Sequence, residues 1–350
     1  KYLSKPRARV CQAMPANLTQ QYHKAEQAYR QAGTPEEELS CLQVMLAEIP
    51  KHKGTDHLQA SLKTKISKLK KEIESGGGKK GGKRAGVRIP RQGAGTVVLL
   101  GGPNTGKSQL LATMTRATPE VADYPFTTHA PMPGMMPWED VTVQLIDLPP
   151  ITADFIESYV YGLTRSADLA LLMLDLGSDD GVEQCQEALD RLNSTKTRLG
   201  RESYLDQEDI GTTYTQTLLV PTKIDLPDAM ARLELFHELC DADFDEYPVC
   251  AKPEPGTETN ESLEKLRNEI YRRMDVVRVY TKLPTAKEPD LDRPFTVRRG
   301  QTLLDLAGYV HKDYTEGLKF ARVWGTAVHD GTIVKGDYEL HDRDVVELHL

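Results

Sequence analysis

The sequence predicts an α/β fold: a central parallel β-sheet, preceded by a helical region and followed by a smaller mixed α/β domain. Short apolar runs of strand length at residues 96–100, 169–174 and 217–220 predict the central sheet, because strands covered on both faces read as continuous apolar runs. The flanking regions are predicted by a helical spacing of apolar residues at 58–73 and by an alternating pattern at 345–350.

The composition is that of an ordinary soluble protein. Of the 350 residues, 39% are hydrophobic and 27% are charged, and no apolar stretch is longer than a strand. We therefore expect no membrane contact and, since no signal segment opens the chain, a cytoplasmic location. The five cysteines lack a Cys-x-x-Cys spacing, which favours reduced thiols over disulfides or zinc. Because Met14 reads like a natural start, residues 1–13 are expected to be an upstream, non-native extension.

Residues 1–75 are predicted to form a helical region. Thr34 and Pro35 open a capping box with proline at the first helical position, and an apolar stripe follows it. In the next helix the apolar residues are spaced by four or three positions and so share one face: Leu58, Leu62, Ile66, Leu69 and Ile73.

Positive charge is concentrated between residues 51 and 92. There, 13 Lys and Arg stand against three acids, a local charge of +10 in a chain of net charge −8. Residues 76–94 form a glycine-rich basic stretch that we predict to be a flexible linker. Two interpretations of the basic region stay open: a solvated helix face, or a surface for a phosphate-rich partner such as ribosomal RNA. No aromatic residues are interleaved, so base stacking is not indicated.

A Gly-x-x-x-x-Gly-Lys-Ser motif at residues 101–108 follows a predicted strand and precedes a predicted helix, the context that a phosphate-binding loop requires. The two glycines let the backbone N–H groups point at the phosphates, Lys107 supplies charge at the β- and γ-oxygens, and Ser108 offers a hydroxyl to Mg²⁺. The motif predicts binding of a nucleoside triphosphate by Gly101, Pro103, Asn104, Thr105, Gly106, Lys107, Ser108 and Gln109.

Short motifs further along the chain favour guanine. Asp147 ends a predicted strand, where an acid can reach Mg²⁺ through water, and Thr128 is a second hydroxyl that can join Ser108 on the metal. In the segment Thr222-Lys223-Ile224-Asp225, the carboxylate of Asp225 can accept hydrogen bonds from guanine N1 and N2, which adenine cannot supply. The segment Cys250-Ala251-Lys252 is suited to a backbone contact with guanine O6.

These motifs carry a family resemblance. The phosphate-binding loop, the Asp-Tyr-Pro-Phe-Thr-Thr segment at 123–128 and the Asp-Leu-Pro segment at 147–149 resemble the Obg superfamily of translation-associated GTPases. The C-terminal segments at 279–282, 319–326 and 342–350 resemble the TGS domain of the developmentally regulated GTP-binding (DRG) proteins. The resemblance implies a P-loop NTPase domain at 95–275, a β-grasp TGS domain at 276–350, GTP or GDP with Mg²⁺ as ligands, and a ribosome, RNA or protein partner contacted through residues 51–92 and the TGS domain.

The sequence departs from the family pattern at three positions. Pro150 replaces a glycine whose N–H reaches the γ-phosphate, and proline has no N–H. Ile151 occupies the position of a water-orienting glutamine in Ras-like proteins and cannot orient water. Related GTPases with an apolar residue there use K⁺, bound partly by the loop asparagine, here Asn104. Thr222 replaces the usual asparagine, a mild change.

Two hypotheses of different classes follow. In the first, the protein is an enzyme that hydrolyses GTP slowly and reports its state to a ribosomal or RNA partner, with Lys107, Thr128 and Asn104 as the catalytic candidates. In the second, it is a guanine-nucleotide-responsive scaffold with little hydrolysis, because Pro150 and Ile151 remove groups that hydrolysis commonly uses.

The C-terminal region shows no catalytic cluster. Strands are predicted at 293–297 and 321–324, a helix at 302–311, and turns at Gly331 and Gly336. A docking role is predicted for this region, with aromatic residues that either anchor a partner or lie in the core: Tyr309, Tyr314 and Trp324.

Overall fold

The computed structural model describes residues 18–32, 35–50, 55–74, 89–115, 130–250, 261–310, 314 and 317–349. It divides into two compact units. The first contains the N-terminal helices and two short segments of the later chain, 196–198 and 203–214, and the second contains the central and C-terminal domains. Within the described ranges, no helix has the length and apolar character that crossing a membrane requires.

The first unit is a helical bundle, as predicted. Its helices are α1 (Gln20–Gln31), α2 (Pro35–Glu48) and α3 (Asp56–Glu74). The side chain of Thr19 caps α1 by accepting a hydrogen bond from Tyr22 N at 3.1 Å. The predicted apolar face of α3 lies in the core of this bundle. Residues 1–17, the capping-box Thr34 and linker residues 76–88 lie outside the described ranges.

Residues 203–214 belong to the helical unit, which the sequence did not reveal. The short strand β6 (Tyr204–Leu205) pairs antiparallel with Thr213 and Tyr214. The buried Glu26 of α1 accepts a hydrogen bond from Leu205 N at 2.7 Å. Leu205 also joins the core of the bundle, so this later segment completes the helical unit.

The central domain is built around a mostly parallel sheet. Its main strands are ordered β2-β3-β1-β4-β7-β5, with β1 parallel to β3 and β4, and β4 parallel to β7. β2 is antiparallel to β3. The bounds are β1 (Thr96–Leu100), α4 (Lys107–Met114), β2 (Met132–Trp138), β3 (Val141–Asp147), α5 (Ser158–Ser166), β4 (Leu169–Asp175), α6 (Gly181–Asn193), β5 (Thr197–Gly200), β7 (Thr213–Thr222), α7 (Ala229–Leu239), β8 (Asp245–Glu246) and α8 (Glu261–Met274).

The start of the central domain differs from expectation. The linker was predicted to reach residue 94, but Gly93 already pairs with Val143, and Ala94 N donates to Thr142 O at 2.8 Å. Backbone pairing with β3 therefore fixes the end of this stretch. At the other end of the domain, β8 pairs in parallel with β7, and Val249 forms a bridge with Thr222.

The C-terminal domain is a five-stranded mixed sheet with a helix on one face, the arrangement predicted for a β-grasp fold. The strand order is β10-β9-β13-β11-β12, with β13 parallel to β9. The elements are β9 (Val276–Thr281), β10 (Asp290–Arg298), α9 (Leu303–Val310), β11 (Phe320–Gly325), β12 (Val328–Val334) and β13 (Asp344–His349).

Gly331 corrects one prediction for this domain. It does not mark a turn: it lies within β12 with φ +76°. A Cβ there would make ordinary contact with Trp324 Nε1 at 3.6 Å, so the backbone conformation, rather than a lack of space, favours glycine at this position. Gly336 does lie in a turn. Tyr314 packs against the core, whereas Tyr309 is exposed.

Arg278 of β9 links the central and C-terminal domains within the second unit. Its side chain is 5% exposed, and its guanidinium donates to Asp140 Oδ1 (2.9 Å), Asp342 Oδ2 (2.8 Å) and Glu139 Oε2. Glu139 and Asp140 form the turn between β2 and β3. The guanidinium also lies 5.3 Å from the centre of the Trp138 ring. One cation thus fastens the C-terminal domain to the tip of the β2–β3 hairpin.

We expect Arg278→Met to lower the free energy of unfolding by about 3 kcal/mol, because it leaves a group of acids without their buried partner. Arg299→Met is the matched control: Arg299 pairs with Asp275, but both side chains are exposed, so we expect a loss within about 0.5 kcal/mol. Urea unfolding of the three proteins measures both effects. Equal losses in the two variants would contradict the structural role of Arg278.

Candidate nucleotide-binding site

The predicted phosphate-binding loop joins the end of β1 to the start of α4. Gly101 has φ +146° and Gly106 has φ +89°, conformations that favour glycine. A Cβ at Gly101 would lie 2.9 Å from Met173 O, so there is also no space for a side chain. Leu110 N donates to Gly106 O at 2.8 Å, so α4 starts directly from the loop. The N–H groups of its first turn, which a helix cannot pair internally, are thus placed beside the loop.

The side chain of Lys107 lies inside this loop. Its Nζ donates to Gly101 O (3.1 Å) and Gly102 O (2.6 Å) and lies 3.3 Å from Thr105 Oγ1. Burial lowers the pKa of Lys107 to about 8. A phosphate oxygen would supply the negative charge that favours the protonated ammonium. The loop and Lys107 therefore form a suitable anion site.

Ser108 and Asp147 form the metal side of the site. Asp147 is the last residue of β3 and lies beside Leu99 of β1. Ser108 Oγ donates to Asp147 Oδ2 at 2.5 Å, whereas Asp147 Oδ1 is buried and has no hydrogen-bond partner among the described residues. Burial raises the pKa of Asp147. A hydroxyl beside a carboxylate oxygen without a partner is a hard oxygen donor set, so these residues fit Mg²⁺.

The predicted base-recognition segment starts at the end of β7. Thr222 Oγ1 lies 3.0 Å from Thr105 O and 3.1 Å from Leu174 O, and its one proton can be donated to either carbonyl. Thr222 thus ties this segment to the phosphate-binding loop, and its buried hydroxyl suits the position despite the departure from asparagine. Lys223 follows with φ +59°, and Asp225 is exposed.

The other predicted residues are placed as follows. Asn104 is exposed with φ +57°, Pro103 is half-buried, and the exposed Gln109 donates along α4 to Thr113 Oγ1 at 3.3 Å. Cys250 is half-buried and follows Val249, which forms a bridge with Thr222. Three predicted residues lie outside the described ranges: Thr128, Ala251 and Lys252.

Pro150 and Ile151, two of the departures from the family pattern, differ in their surroundings. Pro150 is exposed. Ile151 is 1% exposed and packs in the core, so its side chain does not occupy a water-orienting position at all. Its N–H donates to Gly101 O at 3.1 Å and is therefore engaged by the phosphate-binding loop. Neither residue offers a free backbone N–H to a γ-phosphate in this structure.

Asp175 is a polar residue of this sheet edge that sequence reasoning missed. It is the last residue of β4 and pairs with Thr222 across the parallel ladder. Its carboxylate is buried and accepts hydrogen bonds from Lys223 Nζ (2.7 Å) and Gly177 N (2.8 Å). The available signal was an acid that directly follows an apolar strand run, the same pattern that drew attention to Asp147.

Comparison with known proteins gives two matching family models and several similar proteins. Residues 96–202 match the family model described as 50S ribosome-binding GTPase, and residues 277–350 match the TGS domain model; together they cover just over half of the chain. An uncharacterized GTP-binding protein of Methanocaldococcus jannaschii is 28% identical over 89% of this chain and 92% of its own length. Developmentally-regulated G-protein 1 of Arabidopsis thaliana is 28% identical over 89% of this chain and 90% of its own. The solved Schizosaccharomyces pombe YchF GTPase aligns with a TM-score of 0.47 at 13% identity, covering 75% of this chain and 99% of that one.

We expect Thr222→Val to lower nucleotide affinity about tenfold, because it leaves Thr105 O of the phosphate-binding loop without a partner. Thr217→Val is the matched control: Thr217 is also buried, and its hydroxyl donates to Thr215 O at 2.9 Å. The control should lose stability while keeping nucleotide affinity within about twofold. Titration with a fluorescent GDP measures the affinities, and an equal loss in both variants would contradict a specific role for Thr222.

Proposed function

We propose that this GTP-binding chain, which has a GTPase domain followed by a TGS domain and is similar to the developmentally regulated G-proteins, is a slow GTPase switch that acts on a ribosomal or RNA partner. The observation that carries the proposal is the connected sheet edge, where Lys107 lies in the phosphate-binding loop, Ser108 meets Asp147, and Thr222 holds the loop at Thr105.

In this proposal, the phosphates bind along the loop at residues 101–109, with Lys107 and Asn104 beside the β- and γ-phosphate oxygens. Ser108, Thr128 and, through water, Asp147 would hold Mg²⁺, which when bound neutralises charge on those oxygens. The same proposal assigns to Asn104 a share in holding K⁺. Its exposed position at the loop tip supports this role.

Guanine is proposed to bind at the end of β7. The carboxylate of Asp225 accepts hydrogen bonds from guanine N1–H and the N2 amino group, and the backbone at 250–252 contacts O6. An adenine there would leave the acceptor without donors, which makes the site selective. The exposed position of Asp225 supports this arrangement. The bridge between Val249 and Thr222 supports it as well, because it places Val249 beside the strand end from which the Asp225 segment starts.

A second candidate function is favoured by residues 150 and 151. Pro150 has no N–H, and the N–H of Ile151 is already engaged by Gly101 O. A protein with these features can respond to guanine nucleotide while hydrolysing little of it. Such a protein is a nucleotide-responsive scaffold: its partner recognises the nucleotide-bound state, and hydrolysis does not limit how long that state lasts.

Single-turnover hydrolysis of bound GTP, in K⁺ and then in Na⁺, decides between the two candidates. A slow switch should show turnover that is faster in K⁺, whereas a scaffold should retain its GTP in both salts.

In Pro150→Gly, the restored donor should raise affinity for a GTP analogue relative to GDP by up to about tenfold, roughly 1.4 kcal/mol. Equal affinity ratios in wild type and Pro150→Gly would mean that another donor already serves the γ-phosphate.

The proposed partner surface is the basic region at residues 51–92, together with the TGS domain. In the described part of this region, α3 presents exposed lysines on the side opposite its buried apolar residues: Lys63, Lys68, Lys70 and Lys71. Phosphate-rich partners bind such surfaces because Lys and Arg neutralise their phosphates and release counterions, an attraction that does not depend on base sequence. With a ribosomal partner, the proposed location of the protein is the cytoplasm.

Replacing those four lysines with alanine should weaken RNA binding and reduce the slope of log affinity against log salt by up to about 3, since each phosphate contact contributes about 0.7. Nucleotide affinity should be unchanged. Lys265→Ala is the control, because Lys265 is exposed on α8 and pairs with Glu261. An unchanged salt slope in the four-lysine variant would show that α3 is only a solvated helix face.

A further inference from the structure

The turn that follows β4 is joined to the predicted guanine-recognition loop at residues 222–228. Asp175 is 3% exposed, and both of its carboxylate oxygens are engaged: Oδ2 accepts from Lys223 Nζ at 2.7 Å and Oδ1 accepts from Gly177 N at 2.8 Å. Leu176 N also donates to Thr222 O at 3.2 Å. Asp175 therefore holds a side chain of the loop and shapes the turn on which the loop rests.

Gly177 brings the turn and the loop into close contact. A Cβ at this position would lie 2.6 Å from Lys223 Cδ and 2.8 Å from Leu226 Cδ1. The glycine thus leaves room for the stem of Lys223 to lie flat against the turn, where its ammonium reaches Asp175. Arg232 closes the far side of the loop, because its Nη1 lies 2.9 Å from both Leu176 O and Pro227 O.

The loop itself needs such support. Lys223 has φ +59° and Asp228 has φ +62°, left-handed backbone conformations that residues other than glycine rarely adopt. Strained residues of this kind persist where the surrounding structure holds them. At Lys223, the buried carboxylate of Asp175 supplies that restraint through an ion pair in which one partner is removed from water.

We infer that Asp175 is a positioning residue for guanine recognition, acting through Lys223. Lys223 lies only two residues before Asp225, the proposed acceptor for guanine, and a free ammonium there would compete with the base for that carboxylate. By binding the ammonium at the edge of β4, Asp175 leaves Asp225 available to the base. This inference rests on the proposed guanine site, and it assigns to Asp175 a part in base selectivity that is separate from phosphate binding.

Asp175→Asn tests the inference with little change of shape. The change removes the carboxylate charge, and in either orientation the new NH₂ group faces one of the two donors, Lys223 Nζ or Gly177 N, so the ion pair is lost and the restraint is weakened. We expect GDP affinity to fall about tenfold and the preference for GDP over inosine diphosphate, which lacks the N2 amino group, to fall about fivefold. Asp180→Asn, on the same turn, is the control: Asp180 is exposed and its side chain does not cap α6.

A double-mutant cycle with Lys223→Met asks whether Asp175 acts through Lys223. The effect of Asp175→Asn should shrink to less than about threefold when Lys223 is already Met. If Asp175→Asn has the same effect in the Lys223→Met background, the inference is wrong. It is also wrong if Asp175→Asn lowers the affinities for GDP and inosine diphosphate by the same factor, because an equal loss indicates only a damaged fold. If Asp175→Asn does not fold, Gly177→Ala displaces the same lysine from the other side and should lower the same preference; an unchanged preference would again overturn the inference.

Asp225→Asn separates this inference from the proposed site. If Asp225→Asn lowers the preference for GDP and Asp175→Asn does not, the guanine site stands and the role of Asp175 is wrong. If Asp225→Asn leaves the preference unchanged, the proposed guanine site is wrong, and the positioning role that depends on it falls with it.

Discussion

The parallel register of the central strands is the constraint on which the site depends. Leu99 lies beside Asp147, and Asp175 lies beside Thr222, so the polar residues that end these strands arrive at one edge of the sheet. The strands themselves are apolar and covered on both faces, which leaves their carboxyl ends as the place where polar chemistry can collect. Register, rather than any local motif, therefore sets the distance between the phosphate-binding loop and the base-recognition loop.

Charged groups in this protein are buried where another group defines their orientation. Lys107 is surrounded by carbonyl oxygens of its own loop, Asp175 accepts two hydrogen bonds, and Arg278 faces acids from two domains. Burying such groups costs desolvation energy, which good geometry repays. Asp147 differs from them, because one of its oxygens is buried without a partner among the described residues, and this is the position where a cation fits.

Sequence reasoning reached the features that are local in the chain and missed those that depend on distant partners. The loop at 101–108 and the apolar face of α3 are short patterns, and the structure has both the strand–loop–helix context and the packed helix. Arg278 meets Asp140 across 138 positions, and Leu205 meets Glu26 across 179. Before folding, nothing distinguishes Leu205 from any other apolar residue, and nothing shows that Arg278 will be buried. The side chain of Ile151 illustrates the same limit, because its place in the core depends on strands that precede and follow it.

The attachment of Arg278 to the β2–β3 hairpin gives β3 a mechanical property. The strand has Asp147 at one end, and the turn held by Arg278 directly precedes its other end. Its seven residues span about 20 Å of backbone that is already extended and so can lengthen little. A displacement of Asp147 along the strand axis would therefore be passed to the turn at Glu139 and Asp140, where the C-terminal domain is attached. β3 is therefore a direct connection between Asp147, a residue that fits a metal ion, and the turn that holds the C-terminal domain through Arg278.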